Sequence, residues 1–420
     1  MEHAITHLAR EESGRILALL AARVGDLSLA DDAVQEALIE AAETWPQRGI
    51  PANPAAWLHA VARNKAIDLV RREASSRRRM LAAAPDLIDA QPDPLAPDDS
   101  GTMHLLDPEA NPLMPGDEQL RLILLCCHPA LDRDTQVALT LRLVGGLTTG
   151  EIAAALLLSE STLAQRIVRA KRKIRDARIP LSIPHDLGER IDALLGVLYL
   201  IFNEGYLARG DANPLRTDLC AEAIRLTTHA ANLLPASAET KGLLALELYH
   251  HARAGTRLDA GGDLVMLEDQ DRALWDSALI DRANRVLHTA TLQMTPGPYQ
   301  VQAMIAGCHA NAHTASDTDW TAIATCYATL GRMTSSPVVA LNHAVAVAMA
   351  EGPQAGVALL DGIDGLETYH LFHAARGELL ARSGDTDAAK EALLRAYALT
   401  QNTAERRHLD RRLASLDSAP

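Results

Sequence analysis

Residues 81–118 hold seven prolines and nine carboxylates, and no lysine or arginine. Proline lacks the backbone donor that a helix interior needs, and a run of uncountered negative charge repels itself. The central QPDPLAPDDSG therefore joins no regular element, and the segment reads as an extended tether. Any core must be built on one side of it or the other. Elsewhere alanine and leucine dominate, and aromatic residues make up only 3%. That bias favours helices over strands, so the expected fold class is all-α. With 420 residues, 48% hydrophobic and 22% charged, the chain has material for more than one core. Five scattered cysteines (Cys126, Cys127, Cys220, Cys308, Cys326) without CxxC spacing suit reduced thiols rather than a disulfide frame or zinc site. The first residues lack the basic-then-apolar order of a signal peptide, and no apolar run is long enough to span a membrane. A soluble, cytoplasmic protein is expected.

Beyond the tether, residues 148–178 read as two short helices about a tight turn. Thr148 and Glu151 form a capping box, and Ser159 caps the second helix. Leu163, Ile167, Ala170 and Ile174 fall at helical spacing and pack inward. Thr162, Gln165, Arg166, Arg169, Arg172 and Lys173 are left on or near the solvent side. Between 162 and 178 seven Lys/Arg face one acid, a local charge of +6 in a chain whose net charge is −14. Short helix, turn and basic second helix are the parts of a helix-turn-helix that reads the major groove.

Before the tether, Ser28 and Asp31 suggest a capping box opening DDAVQEALIEAAETW. Ala33, Val34, Ala37, Leu38 and Ala41 face inward, and Asp32, Gln35, Glu36, Glu40 and Glu43 form an acidic outer stripe. The helix dipole favours acids in the first turn only, so Gln35 and Glu36 call for another explanation, such as a protein partner. Trp45-Pro46 ends this helix. Asn53-Pro54 starts the next, which buries Leu58, Ala62, Ala66 and Leu69. It exposes Arg63, Asn64, Lys65, Asp68, Arg71 and Arg72, and the charge from 62 to 79 is +5.

The chain thus divides into a helical unit at 1–80, the tether at 81–118, a helix-turn-helix unit at 119–183 and a helical remainder at 184–420. In that remainder, 342–363 and 373–399 each run helix, Gly, helix, with Gly352 and Gly384 spaced near the tetratricopeptide period. AERRHLDRRLASL near the end suits a polar capping helix. Enzymatic chemistry has little support. His309 and His313 stand at i, i+4 near Asp317 and Asp319, but no HExxH, CxxC or Gly-rich phosphate loop accompanies them. Asn203-Glu204-Gly205-Tyr206 has the look of a buried carboxylate without a neighbouring nucleophile or base. No catalytic residue, metal or cofactor is expected.

In this order the segments resemble a bacterial RNA polymerase sigma factor of the extracytoplasmic-function group within the sigma-70 family. ADDAVQEAL with the trailing WP is similar to the region-two helix that docks on the polymerase clamp. NPAAWLHAVARNKAIDLVRR is similar to the segment that reads the −10 element, and TGEIAAALLLSESTLAQRIVRAKRKIRDA to region four, which reads the −35 element. LCCHPALDRDTQVALTLRLVGGLTT, LYLIFNEGY, LEDQDRALWD, GPYQVQAMIA and SSPVVALNHAVAVA resemble the subgroup with a fused tetratricopeptide-like extension. The resemblance implies two small sigma domains, the second a helix-turn-helix, joined by the acidic linker and followed by a helical-hairpin array. It places Asp32, Gln35 and Glu36 on core RNA polymerase. It puts Arg63, Asn64, Lys65, Asp68, Arg71 and Arg72 at the −10 element, and Thr162, Gln165, Arg166, Arg169, Arg172 and Lys173 at the −35 element of promoter DNA. It also implies regulation by the C-terminal array, through an intramolecular or protein partner. The alternative, a helix-turn-helix regulator with a helical sensor domain, needs a dimer to read a palindrome and has no use for the Gln35-Glu36 stripe.

Overall fold

Helices account for the regular structure among the described residues, and no strand occurs there. The computed structural model describes residues 2–83, 117–156, 158–183, 187–206, 217–259, 265–400 and 403–417. The core of the acidic tether, 84–116, lies outside them. The tether's expected ends are helical instead: a helix runs to Ala83, and another starts at Asp117 with Glu118 only 9% exposed. The chain divides into two units, Met1–Leu200 and Ile201–Pro420.

The first unit opens with α1 (Glu2–Val24), α2 (Leu27–Arg48) and α3 (Pro54–Ala83). The cap of α2 is Asp26, whose carboxylate accepts from the Ser28 and Leu29 amides at 2.7 and 3.1 Å, rather than the expected Ser28–Asp31 box. Asp31 is buried in the helix for another purpose, described below. Nor does Pro46 stop the helix. It sits in the last turn, and Gly49 ends α2 at φ +83° with its amide on the Trp45 carbonyl. Trp45, 2% exposed, meets Trp57 edge to face at 5.4 Å and sets the α2–α3 corner. Asn53 accepts from the Ala56 amide at 3.0 Å with Pro54 in the first helical position, as the sequence predicts. Leu58, Ala62 and Ala66 are fully buried on the inner line of α3.

α4 (Asp117–Cys126) and α5 (Arg133–Leu139) follow, and α5 runs on into a π-helical turn at Thr140–Val144. Helix α1 packs on both α4 and that turn. The approach is close at Gly14, where a Cβ would lie 2.8 Å from the Val144 carbonyl oxygen. Helices α6 (Thr149–Ala155) and α7 (Glu160–Asp176) make the helix-turn-helix, and α8 (Leu187–Tyr206) carries the chain past the division at Leu200. The expected break at 183/184 precedes α8, whereas the division falls inside it.

The second unit holds α9 (Thr217–Leu233), α10 (Ala238–Ala252), α11 (Ser277–Thr291), α12 (Pro298–Ala310), α13 (Trp320–Met333) and α14 (Pro337–Glu351). It closes with α15 (Pro353–Leu360), α16 (His370–Ser383), α17 (Thr386–Leu399) and α18 (Thr403–Asp417). Each packs chiefly on helices near it in sequence, the pattern of a stacked array. The two hairpins expected at Gly352 and Gly384 are α14–α15 and α16–α17, with Gly384 left-handed at φ +88°. Glu239 of α10 substitutes for a missing cap on α12, accepting from the Tyr299 and Gln300 amides at 2.8 and 3.0 Å.

Candidate nucleic-acid interface

The helix-turn-helix is built by its own side chains. Thr148 and Glu151 complete the capping box, with the Glu151 amide donating to Thr148 Oγ1 at 3.1 Å and the Thr148 amide to Glu151 Oε2 at 2.8 Å. Ser159 accepts from the Thr162 amide at 3.2 Å. Leu163, Ile167, Ala170 and Ile174 are all buried, and Ile152 of α6 closes the core beneath them. Those contacts turn the opposite face of α7 outward: Ser161, Thr162, Gln165, Val168, Arg169, Arg172 and Lys173 are exposed.

The seven cations counted from the sequence are not equivalent. Arg166 is half-buried and lies 3.3 Å from Asp134 of α5, so its guanidinium is held against the neighbouring helix. Lys171 turns fully away from the outward face and pairs with Asp31 of α2; the two side chains are 14% and 6% exposed. Lys173 donates to the Ala130 carbonyl while remaining exposed. Arg172 and Arg175 share Asp176 at 3.2 and 3.7 Å. Arg169 keeps its place on the outward face beside Thr162 and Gln165.

On α2, Asp32 is exposed while Gln35 and Glu36 are half-buried. Desolvation lifts the Asp32 carboxyl above its usual range, Lys171 pulls it back, and Asp31, Asp26 and Glu36 push it up. Gln35 donates to Asp31 at 3.4 Å. Lys65 of α3 reaches across to Glu40 at 3.0 Å and Glu36 at 3.9 Å, and its pKa rises through that hydrogen bond and those charges. A residue expected at DNA and one expected at polymerase are thus brought together. Asn64, Asp68, Arg71 and Arg72 stay exposed on α3. Arg63 is half-buried, with Nε enclosed and without a partner among the described residues.

Among the described residues of the second unit the fully buried carboxylate is Glu247, with Glu222 at 7% exposed, whereas Glu204 is half-buried. Glu247 is fully buried in α10; Thr227 donates to one of its oxygens at 3.0 Å, and burial pushes its pKa well up. His309 and His313, at i, i+4 in the sequence, have different surroundings. His309 packs edge-on against Trp320 at 5.2 Å, and burial with nearby Arg253 and Arg272 lowers its pKa to about 4, while His313 is exposed. Near the division, Tyr206 stacks on Phe202 and carries the Arg257 guanidinium 3.6 Å from its ring centroid. Among the described residues no helix is long and apolar enough to cross a membrane.

Comparison with known proteins follows the same geography. Sigma-70 region 2 matches residues 8–76, which form α1 to α3, and sigma-70 region 4 matches 121–174, which end in the helix-turn-helix. A family of unknown function, DUF6596, matches residues 190–291. An uncharacterized protein of Rhizobium meliloti (strain 1021) is 42% identical over 398 residues, covering 94% of this chain and 92% of its own. No solved structure matches the chain. With regions 2 and 4 in order and a helical extension behind them, the chain belongs to the sigma-70 family, as an extracytoplasmic-function-like sigma factor that directs promoter-specific transcription.

Proposed function

We propose that the outward face of α7 reads the −35 element while α2 and α3 divide the work of holding core polymerase and reading the −10 element. The observation that supports this most is the separation of faces on α7. Four apolar side chains are sealed inward, and a polar and cationic line points outward within the stretch matched by sigma-70 region 4. In that reading Gln165 carries base discrimination, since a side-chain amide can pair with both adenine edge groups of the major groove. Arg169, Arg172 and Lys173 hold phosphates and set register. Arg166, tied to Asp134, orients α7 on α5 more than it reaches a base. Asp32, Gln35 and Glu36 serve polymerase docking, with Glu36 also steadying Lys65. The exposed Asn64, Asp68, Arg71 and Arg72 serve the −10 element, with Arg63 behind them. The helical array behind the sigma domains regulates them in this reading.

Reconstitution with core RNA polymerase tests the assignment. Gln165→Ala should relax preference at one −35 position, by about 1–3 kcal/mol of lost discrimination. Arg172→Ala should weaken all promoters alike and flatten the salt dependence by about one counterion. If both variants scale every promoter by one common factor, α7 is not the −35 reader.

A further inference from the structure

One apolar side chain stands on the outward line of α7. Val168 is 65% exposed, while Leu163, Ile167, Ala170 and Ile174 seal the opposite side of the same helix. At about 3.6 residues per turn, Ser161, Gln165, Val168 and Arg172 fall along one stripe, with Val168 one turn beyond Gln165. A lone exposed valine is ordinary on a protein surface. This one sits in the middle of the stripe, adds nothing to the core, and is β-branched where alanine, lysine or arginine would favour the helix more. In the major groove the apolar feature of a base edge is the C5-methyl of thymine, which cytosine lacks.

Building on the proposed role of α7, we infer that Val168 is a specificity-determining residue that packs on a thymine methyl in the −35 element, beside the base pair read by Gln165. The contact removes two small apolar surfaces from water. A base lacking the methyl leaves the valine against polar groups and loses that gain.

Uracil isolates the interaction, because deoxyuridine differs from thymidine by the methyl alone. Holoenzyme assembled from the full-length chain and core RNA polymerase is first used to select promoters from a library randomised at −35. Each thymine of the selected element is then replaced by deoxyuridine, and promoter occupancy is measured. One replacement should lower wild-type occupancy about three- to fivefold, the worth of burying roughly one methyl. Val168→Ala should show the same loss on the thymine template and no further loss on the uracil template. Circular dichroism should find its helix content unchanged. The inference is overturned if no thymine responds, or if Val168→Ala senses uracil as the wild type does. It is also overturned if the variant weakens every template equally, which would mark a protein contact. Selection of no −35 sequence at all would instead overturn the reader role of α7, and this inference with it.

Discussion

Glu247 is a fully buried carboxyl with one oxygen unpaired among the described residues. Residues 242–249 of α10 are all buried, and Thr227 donates to the carboxyl's other oxygen. Ionising it there is costly, so the fold favours its protonated form. Its folded pKa lies above the ordinary 4.5, so the folded state holds a proton that the unfolded state has released. Stability from this group is therefore intact below that value and falls as pH rises, by about 1.4 kcal/mol per pH unit until the folded pKa is reached. Glu247→Gln keeps the shape and removes the titration. Thermal unfolding should show the variant gaining over wild type toward neutral pH and matching it in acid; parallel curves would mean the carboxyl is not held neutral. His309 works in the opposite sense, losing stability as pH falls from 6.5 toward about 4, but it is common to both proteins and cancels in the difference. The sequence pointed to Glu204 as the buried carboxylate because a single Glu inside LLALELYHH looks like any other helix position. What buries it is a second helix whose Thr227 lies 20 residues away, a contact no local pattern carries.

Helices with self-contained signals were legible, and those shaped by distant partners were not. The caps at Thr148 and Ser159 and the inward line of α7 depend on residues within a turn or two, and they stand as read. The start of α2 was misread because Asp31 looked like half of a capping box. Its actual partner is Lys171, 140 residues along the chain. The same pair explains why one of the six cations on α7 does not face outward. A charge pair this enclosed is destabilising to halve and nearly neutral to replace whole. Lys171→Met or Asp31→Asn alone should each cost about 3 kcal/mol or more, and the double variant should recover most of that loss. Hydrogen exchange of α2 and α7 amides reads both effects; additive single losses would show that the two side chains do not depend on each other.

At the scale of the whole molecule, a net charge of −14 coexists with two basic helices, because Lys and Arg outnumber Asp and Glu by seven to two on α3 and by six to two on α7. The order of parts was readable from composition: helical unit, acidic break, helix-turn-helix, helical array. The place where the array begins was not, because nothing in the local pattern of α8 says which of its residues support the first unit. Leu194, Leu195, Val197 and Leu198 are buried, and Arg133 of α5 lays its guanidinium on Gly196 and donates to the Ala193 carbonyl at 3.1 Å. Since α5 also supplies Asp134 to Arg166 of α7, the first half of α8 braces the helix that holds α7. The point of truncation should therefore matter more than the length removed. A chain ending at Ile183 loses that support, and its affinity for a −35 duplex should fall about tenfold, the worth of one good hydrogen bond and its apolar cover. A chain ending at Tyr206 keeps α8 and should bind the duplex within about twofold of the full chain, leaving any change in its promoter-specific transcription to be ascribed to the missing array. Duplex titration by fluorescence anisotropy, followed by transcription with core polymerase, separates the two. Equal binding by both truncations would remove α8 from the reader's support, and equal transcription by full chain and Tyr206 truncation would remove the array from its regulation.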